Sequence, residues 1–236
     1  AESDAKRVSA RAAEAQNGSA ETAARPAGSA SYDSEAILTE PESNRGFLGL
    51  ALFLGAMSAS AAIAEGVGVD WSALHQSSVL GTSASQAAIA IAVYTGTMGL
   101  VRFFVDRVVA RFGRIAVIRY GSALSAVGIA VVMFSQSPIV ALLGWAISGV
   151  GIAGVIPQIF AVSANIGPAS HHGRNLAKVV GITYGGVLAG PAIVGWLTNL
   201  VPLQFAIGTG VLLGLFTAIG TKFIPANQVK KSEVGV

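Results

Sequence analysis

Gly99-Leu-Val-Arg102-Phe-Phe-Val-Asp106-Arg107-Val-Val-Ala-Arg111-Phe-Gly113-Arg114 lies between two long apolar segments and carries four of the chain's fifteen Lys and Arg. A basic cluster bounded by apolar runs on both sides is what a short loop between two membrane spans looks like. Gly113 permits the tight reversal into the next span, because glycine reaches backbone angles closed to other residues. Asp106 stands where the preceding span should leave the lipid. A carboxylate there can pair with Arg107 or Arg111, or accept amide hydrogens from the N-terminus of a neighbouring helix. Such a cluster can lock one conformation and release another. The plainer alternative is a set of topology-setting arginines with a helix-capping Asp.

Composition agrees with a membrane chain. Of 236 residues, 53% are hydrophobic and 11% charged, with a mean hydropathy of +0.64. Soluble domains carry about 25% charge, so this chain cannot cover a water-exposed globule. There is no cysteine, which excludes disulfides and thiolate metal sites. His75, His171 and His172 have no Cys partners and sit among few carboxylates, so no metal site and no cofactor is expected. No Ser-His-Asp set, carboxylate pair or phosphate loop stands out, which argues against an enzyme. Gly149-Val-Gly151-Ile-Ala-Gly154 spells G-x-G-x-x-G, but it lies inside an apolar run with no preceding strand, so the dinucleotide reading fails.

Residues 1–45 are rich in Ala, Glu, Ser and Gly and poor in large apolar side chains. They read as a flexible cytoplasmic linker, with too little surface to bury against the entropy of ordering. The chain opens on Ala1 without Met or an apolar leader, as expected of a fragment or a processed chain. From 46 to 225 the pattern predicts an all-α domain of six transmembrane helices, followed by a cytoplasmic tail at 226–236. The apolar runs are about Gly46–Glu65, Ser83–Phe104, Ile115–Phe134, Pro138–Val162, Leu176–Leu200 and Val201–Ile224. Each is long enough to cross a hydrocarbon core of ~30 Å at ~1.5 Å per residue, and only helices satisfy their own backbone there at this length. A long first connection, Gly66–Thr82, holds Asp70 and Trp71.

The Lys and Arg that follow Gly46 are Arg102, Arg107, Arg111, Arg114, Arg119, Arg174, Lys178, Lys222, Lys230 and Lys231. All fall in or beside the second-to-third loop, the fourth-to-fifth loop or the tail. Six spans put those three places on one side, so both termini and the basic loops are read as cytoplasmic in a multi-pass protein of the cell membrane. The basic balance is thus a topology signal, and nucleic acid is not an expected partner.

Polar groups within lipid are costly and draw functional suspicion. Glu65, at the expected outer end of the first span, is a candidate to face a cavity and carry a proton. Gln86, Tyr94, Trp145, Gln158 and Tyr184 are further candidates for solute contact, each with the alternative of a helix–helix hydrogen bond or an interface anchor. Gly190-Pro191 in the fifth span is a candidate hinge, since proline removes a helix hydrogen bond. Tyr94-Thr-Gly96 and Tyr184-Gly-Gly186 fall at equivalent places if the domain is two inverted repeats of three helices.

The Arg102, Asp106, Arg107, Arg111, Gly113 and Arg114 pattern resembles the loop signature of the major facilitator superfamily, commonly Gly-x-x-x-Asp-Arg-x-x-x-Arg-x-Gly-Arg. The small residue usual before the Asp is Val105 here. Residues from Gly46 to Pro225 resemble the C-terminal six helices of that superfamily. The closest likeness is to a poorly characterised bacterial branch distantly similar to sugar permeases. That branch carries an acid and Asp-Trp-Ser-Ala-Leu after the seventh helix, matched by Glu65 and Asp70-Trp71-Ser72-Ala73-Leu74. Its tenth-helix run is matched by Gly149, Gly151, Ala153, Pro157 and Phe160, with Gly154 at a position often Asn.

The resemblance implies one half of a twelve-helix transporter, working by alternating access on a small solute, with H+ as a candidate coupling ion. Its expected partners are the bilayer and an N-terminal six-helix half; its expected location is a bacterial inner membrane. Asp106, Arg107, Arg111 and Arg114 would form a conformational latch, and Gly190-Pro191 a rocking hinge. The alternatives are a six-helix membrane scaffold without transport activity and a half-size transporter that pairs with itself.

Overall fold

The computed structural model describes residues 44–225. The linker expected over 1–45 and the tail over 226–236 lie outside the described residues, save Asn44 and Arg45, which open the first helix. The described elements are all helical: α1 (Asn44–Ser78), α2 (Ala84–Arg102), α3 (Val105–Phe112), α4 (Arg114–Phe134), α5 (Pro138–Ile152), α6 (Val155–Ser163), α7 (His172–Leu197), α8 (Leu203–Ala206) and α9 (Thr209–Gly220). Short 3-10 turns occupy Ala169–His171 and Thr221–Phe223. Six segments are long and apolar enough to span a membrane: α1, α2, α4, α5 with α6, α7, and α8 with α9 and its 3-10 turn.

α1 packs along α7, α2 and α9, and α5 packs along α4 and α2; α9 against α4 joins the two groups. Backbones come close where glycines face each other. A Cβ on Gly121 of α4 would lie 2.6 Å from the Gly151 carbonyl of α5. The α1 span and the α5–α6 span are about half buried within the domain (50% and 56%), whereas α2 and α7 are only 22% and 28% buried. Much of α2 and α7 is therefore left for lipid or another protein.

Two expectations about span limits change. The first span does not end at Glu65. α1 runs unbroken through Ser78, 35 residues and about 52 Å at the usual helical rise. Gly66-Val-Gly-Val-Asp70-Trp71, expected as loop, is helix. A glycine in a helix costs about 1 kcal/mol relative to alanine, and packing outweighs it here. Val67, Ser72, His75 and Gln76 are buried on this extension, and Gly68 is where the Tyr94 ring of α2 lies, in the space a Cβ would occupy. The connection shrinks to Val79–Ser83, closed by a capping box in which Ser83 and Gln86 bond each other's backbone amides.

The fourth span is not one helix. It breaks at Ala153-Gly154, between α5 and α6. Pro157 has no N–H with which to bond the carbonyl of Ala153 four residues earlier, so that carbonyl is lost to the helix ladder. In contrast, α7 stays helical through Pro191.

The loop of arginines is itself folded. α3 is amphipathic, with Val105 and Val109 inward and its other side chains exposed. Gly113, at φ +81°, makes the reversal into α4.

Candidate functional site

Arg102 ends α2, and its side chain turns back into the bundle. Nη2 donates to Glu65 Oε1 of α1 at 3.2 Å, and Nε donates to the carbonyl of Ala153 at 3.3 Å. That carbonyl is the acceptor freed by Pro157. One guanidinium thus joins three elements: an acid on α1, the end of α2 and the break between α5 and α6. Its planar fork suits two acceptors held in different directions. It is the one ion pair among the described residues, with Arg102 about half exposed (48%) and Glu65 less so (21%). Glu65 sits well inside the helix, about 20 Å from its Ser78 end, rather than at the outer end of a span.

Glu65 also lines a cleft of about 210 Å³ between α1, α6 and α7. Asp70 lies one helical turn further along the same wall, Ile156 stands on α6, and Gly190-Pro191 supply the facing wall. The fold therefore brings the candidate acid and the candidate hinge to one place. Behind the pair, Tyr94 is fully buried and its hydroxyl donates to the Glu65 backbone carbonyl at 3.1 Å. The Tyr94 ring meets Trp145 edge-on at 6.1 Å, and Trp145 meets His75 edge-on at 6.2 Å. Tyr94 and Trp145 thus support the α1 segment that carries Glu65.

The other candidates lie elsewhere. Gln86 is exposed in the first turn of α2, in its capping box. Gln158 is buried on α6 and accepts from Arg114 Nη1 at 2.7 Å. Tyr184 is 64% exposed on α7, although Tyr94, its counterpart in the repeat reading, is fully buried.

In the loop, Arg107 stacks over Phe104 and Arg111 over Phe112, each 5.6 Å from the ring centre. Asp106 is exposed and lies within 4 Å of no basic group among the described residues. The helical shape of α3 explains this. Arg107 is one residue from Asp106 and Arg111 is five, and only separations of three or four bring side chains together on a helix. Val109 and Ala110 occupy those places. Nor does Asp106 accept an amide hydrogen from a neighbouring helix among the described residues.

Sequence reasoning missed Arg102 as the partner of Glu65, and Asp70 as a wall of the cleft. One signal was available: the one charge in the first apolar run is Glu65 and the one charge in the second is Arg102, and charges in lipid seek each other.

A family model described as the Major Facilitator Superfamily matches residues 45–235. An uncharacterised MFS-type transporter of Yersinia pestis is 34% identical over 178 residues, which is 75% of this chain and 46% of that protein. An uncharacterised transporter of Sinorhizobium fredii is 29% identical over 74% of this chain and 45% of its own length. The membrane protein MosC of Rhizobium meliloti is 27% identical over 77% and 44%. Among solved structures, a peptide transporter of the POT type in complex with alafosfalin superposes on 79% of this chain and 38% of its own, with a TM-score of 0.57 and 14% identity, a likeness of fold. The chain spans somewhat less than half the length of the curated relatives it matches. With six helical spans, a broken fourth span and the Asp106–Arg114 loop, this chain belongs to the Major Facilitator Superfamily.

Proposed function

We propose that this chain works as the C-terminal half of a secondary transporter, which moves a small solute across the cell membrane by alternating access. The observation that carries the reading is the Arg102 bridge from Glu65 to the Ala153 carbonyl. A charge pair within a membrane bundle is expensive, which makes it a functional-site hypothesis by default. This one ties a cleft wall to the broken place of another span, where backbone groups are available to a ligand or to a moving helix. The cleft bounded by Glu65, Gly66 and Gly190-Pro191 is one wall of the solute path, and a second six-helix half supplies the other. The low burial of α2 and α7 supports such a partner.

Glu65 is the coupling acid in this scheme. Protonation neutralises it and weakens its hold on Arg102. The guanidinium then keeps its bond to the Ala153 carbonyl and its contact with the Met98 sulfur, and α1 can move against the α5–α6 break and against α7 at Gly190-Pro191. In this scheme the basic loops and both termini face the cytoplasm, an orientation supported by the clustering of Lys and Arg in those loops. There the Asp106–Arg114 loop acts as the latch, with Asp106 finding its partner in another state of the cycle.

The test is solute uptake by the full-length protein in proteoliposomes, over a panel of sugars and drugs at two pH values. Glu65→Gln should keep the protein folded and abolish the dependence of uptake on a proton gradient. Uptake that stays proton-driven in Glu65→Gln sinks the coupling role. Uptake by the six-helix chain alone sinks the half-transporter reading.

A further inference from the structure

A second concavity lies away from the cleft, between α2, α3, α4 and α5. It is an open apolar groove of about 450 Å³, walled by Val101, Val108, Phe112, Tyr120, Leu124 and Val150. Its floor is the close contact of α4 and α5 at Gly121 and Gly151, where missing side chains leave the space open. Phe112 and Tyr120 are 62% and 68% exposed, far more than aromatic rings that belong to a packed interior.

The mouth of the groove is charged. Phe112 is a wall of the groove, and the Arg111 guanidinium stacks on that same ring. Arg107 lies one turn earlier on α3, over Phe104. Neither arginine is in an ion pair among the described residues. The other charges nearby are otherwise placed: Arg102 is held by Glu65 and Ala153, and Arg114 by Gln158. Asp106, the one acid of α3, adjoins Arg107 in sequence but makes no bond to it. The apolar trough thus ends at Phe112 with the Arg111 guanidinium on that ring, and Arg107, four residues earlier, lies next to Arg111 on the same face of α3.

We infer that this groove binds one anionic phospholipid, an acyl chain lying along Val108, Phe112, Tyr120 and Leu124 and the headgroup phosphate held by Arg107 and Arg111. Complementarity on both counts selects the occupant. A zwitterionic lipid offers a phosphate but brings a cationic head amine that two guanidiniums repel, and a soluble anion leaves the apolar trough empty. The short amphipathic α3 is suited to the level of the headgroups, where basic side chains attract anionic lipid and aromatic rings anchor. Only the leaflet, the cytoplasmic one, rests on the orientation proposed above; the site itself does not. A lipid here would hold the two arginines of the proposed latch, so its presence would set how freely α3 moves.

The experiment is native mass spectrometry of the purified protein with phosphatidylglycerol and, separately, phosphatidylcholine of the same chains. The expected result is one tightly retained phosphatidylglycerol and weaker phosphatidylcholine. The free energy typical of two basic side chains at an anionic surface predicts that Arg107→Gln with Arg111→Gln lowers phosphatidylglycerol retention roughly 30-fold. The same sites changed to Lys should keep most of the preference. Leu124→Trp, which fills the trough without touching a charge, should reduce both lipids while the melting temperature holds. Glycerol phosphate should fail to displace the bound lipid. Equal retention of the two lipids by the wild type overturns the inference. So does unchanged phosphatidylglycerol binding in the double Gln variant, or displacement by glycerol phosphate as efficient as by the lipid.

Discussion

Arg102 and Asp106 stand four residues apart, the spacing at which opposite charges meet on one helix face, yet they do not pair. The helix breaks between them. α2 ends at Arg102, Phe103 and Phe104 make the turn, and α3 begins at Val105. Arg102 is thereby turned inward to Glu65 and the Ala153 carbonyl, while Asp106 is left at the surface. Two charges four residues apart in one motif therefore differ in their partners: Arg102, half exposed, is bonded into the bundle, and Asp106 has no ionic partner among the described residues. In the bundle each charge needs a named partner, because the alternative is apolar. At the surface water and salt stand in, over a screening length of about 8 Å. Sensitivity to mutation should follow that division.

The largest expected effect is at Arg102. Arg102→Ala leaves Glu65 without its partner and the Ala153 carbonyl without a donor. Removing one member of a buried pair costs about 3–5 kcal/mol and one of an exposed pair about 0–1 kcal/mol; this pair is partly exposed, so about 2 kcal/mol is expected in a denaturant titration of the purified protein. Glu65→Gln in the same chain should restore part of the loss, because it removes the stranded charge. A double-mutant cycle reads this directly. If the two changes simply add, the pair is incidental and the contrast with Asp106 collapses.

The next effect lies one turn along α1. At Gly68 an added methyl would fall on the Tyr94 ring. Gly68→Ala forces Tyr94 away from the Glu65 carbonyl and strains its contact with Trp145. Overpacking of this kind costs roughly 1–3 kcal/mol, more than the gain in helix propensity from Gly to Ala. Tyr94→Phe, which keeps the ring and drops one hydrogen bond, should cost about 1 kcal/mol. Melting temperatures of the two variants check the order. A milder Gly68→Ala would mean that α1 and α2 are free to separate there.

These two sites also mark what could be read from residues alone. Hydropathy located all six spans, because membrane length and helical rise leave little choice. The loop signature pointed to the family. What could not be read was the end of α1. Gly66, Gly68 and Asp70 have the composition of a loop, and only the buried contacts of Val67, Ser72 and His75 hold that stretch helical. The bridge was hidden for a related reason. Glu65 and Arg102 are 37 residues apart, and the third member is a backbone carbonyl whose availability depends on Pro157, four positions away. No single window of sequence contains all three. Tyr94 and Tyr184 make the same point: similar local motifs, but one is sealed between helices and the other exposed on α7.

The smallest structural effect should be at Asp106, and it is the most informative about function. Asp106 is exposed with no ionic partner among the described residues, so Asp106→Asn should change stability by less than about 0.5 kcal/mol. If the carboxylate acts only through local topology, uptake by the full-length protein should also be unchanged, since the surrounding arginines remain. If it is half of a latch that closes in another conformation, uptake should fall sharply while the melting temperature stays put. That pairing of readouts separates the two places on α2 and α3. Arg102 should lose stability and transport together, whereas Asp106 should lose transport alone. A variant of Asp106 that melts early instead would show that its partner is already engaged in the resting state. It would also move the latch from the cycle into the ground-state fold.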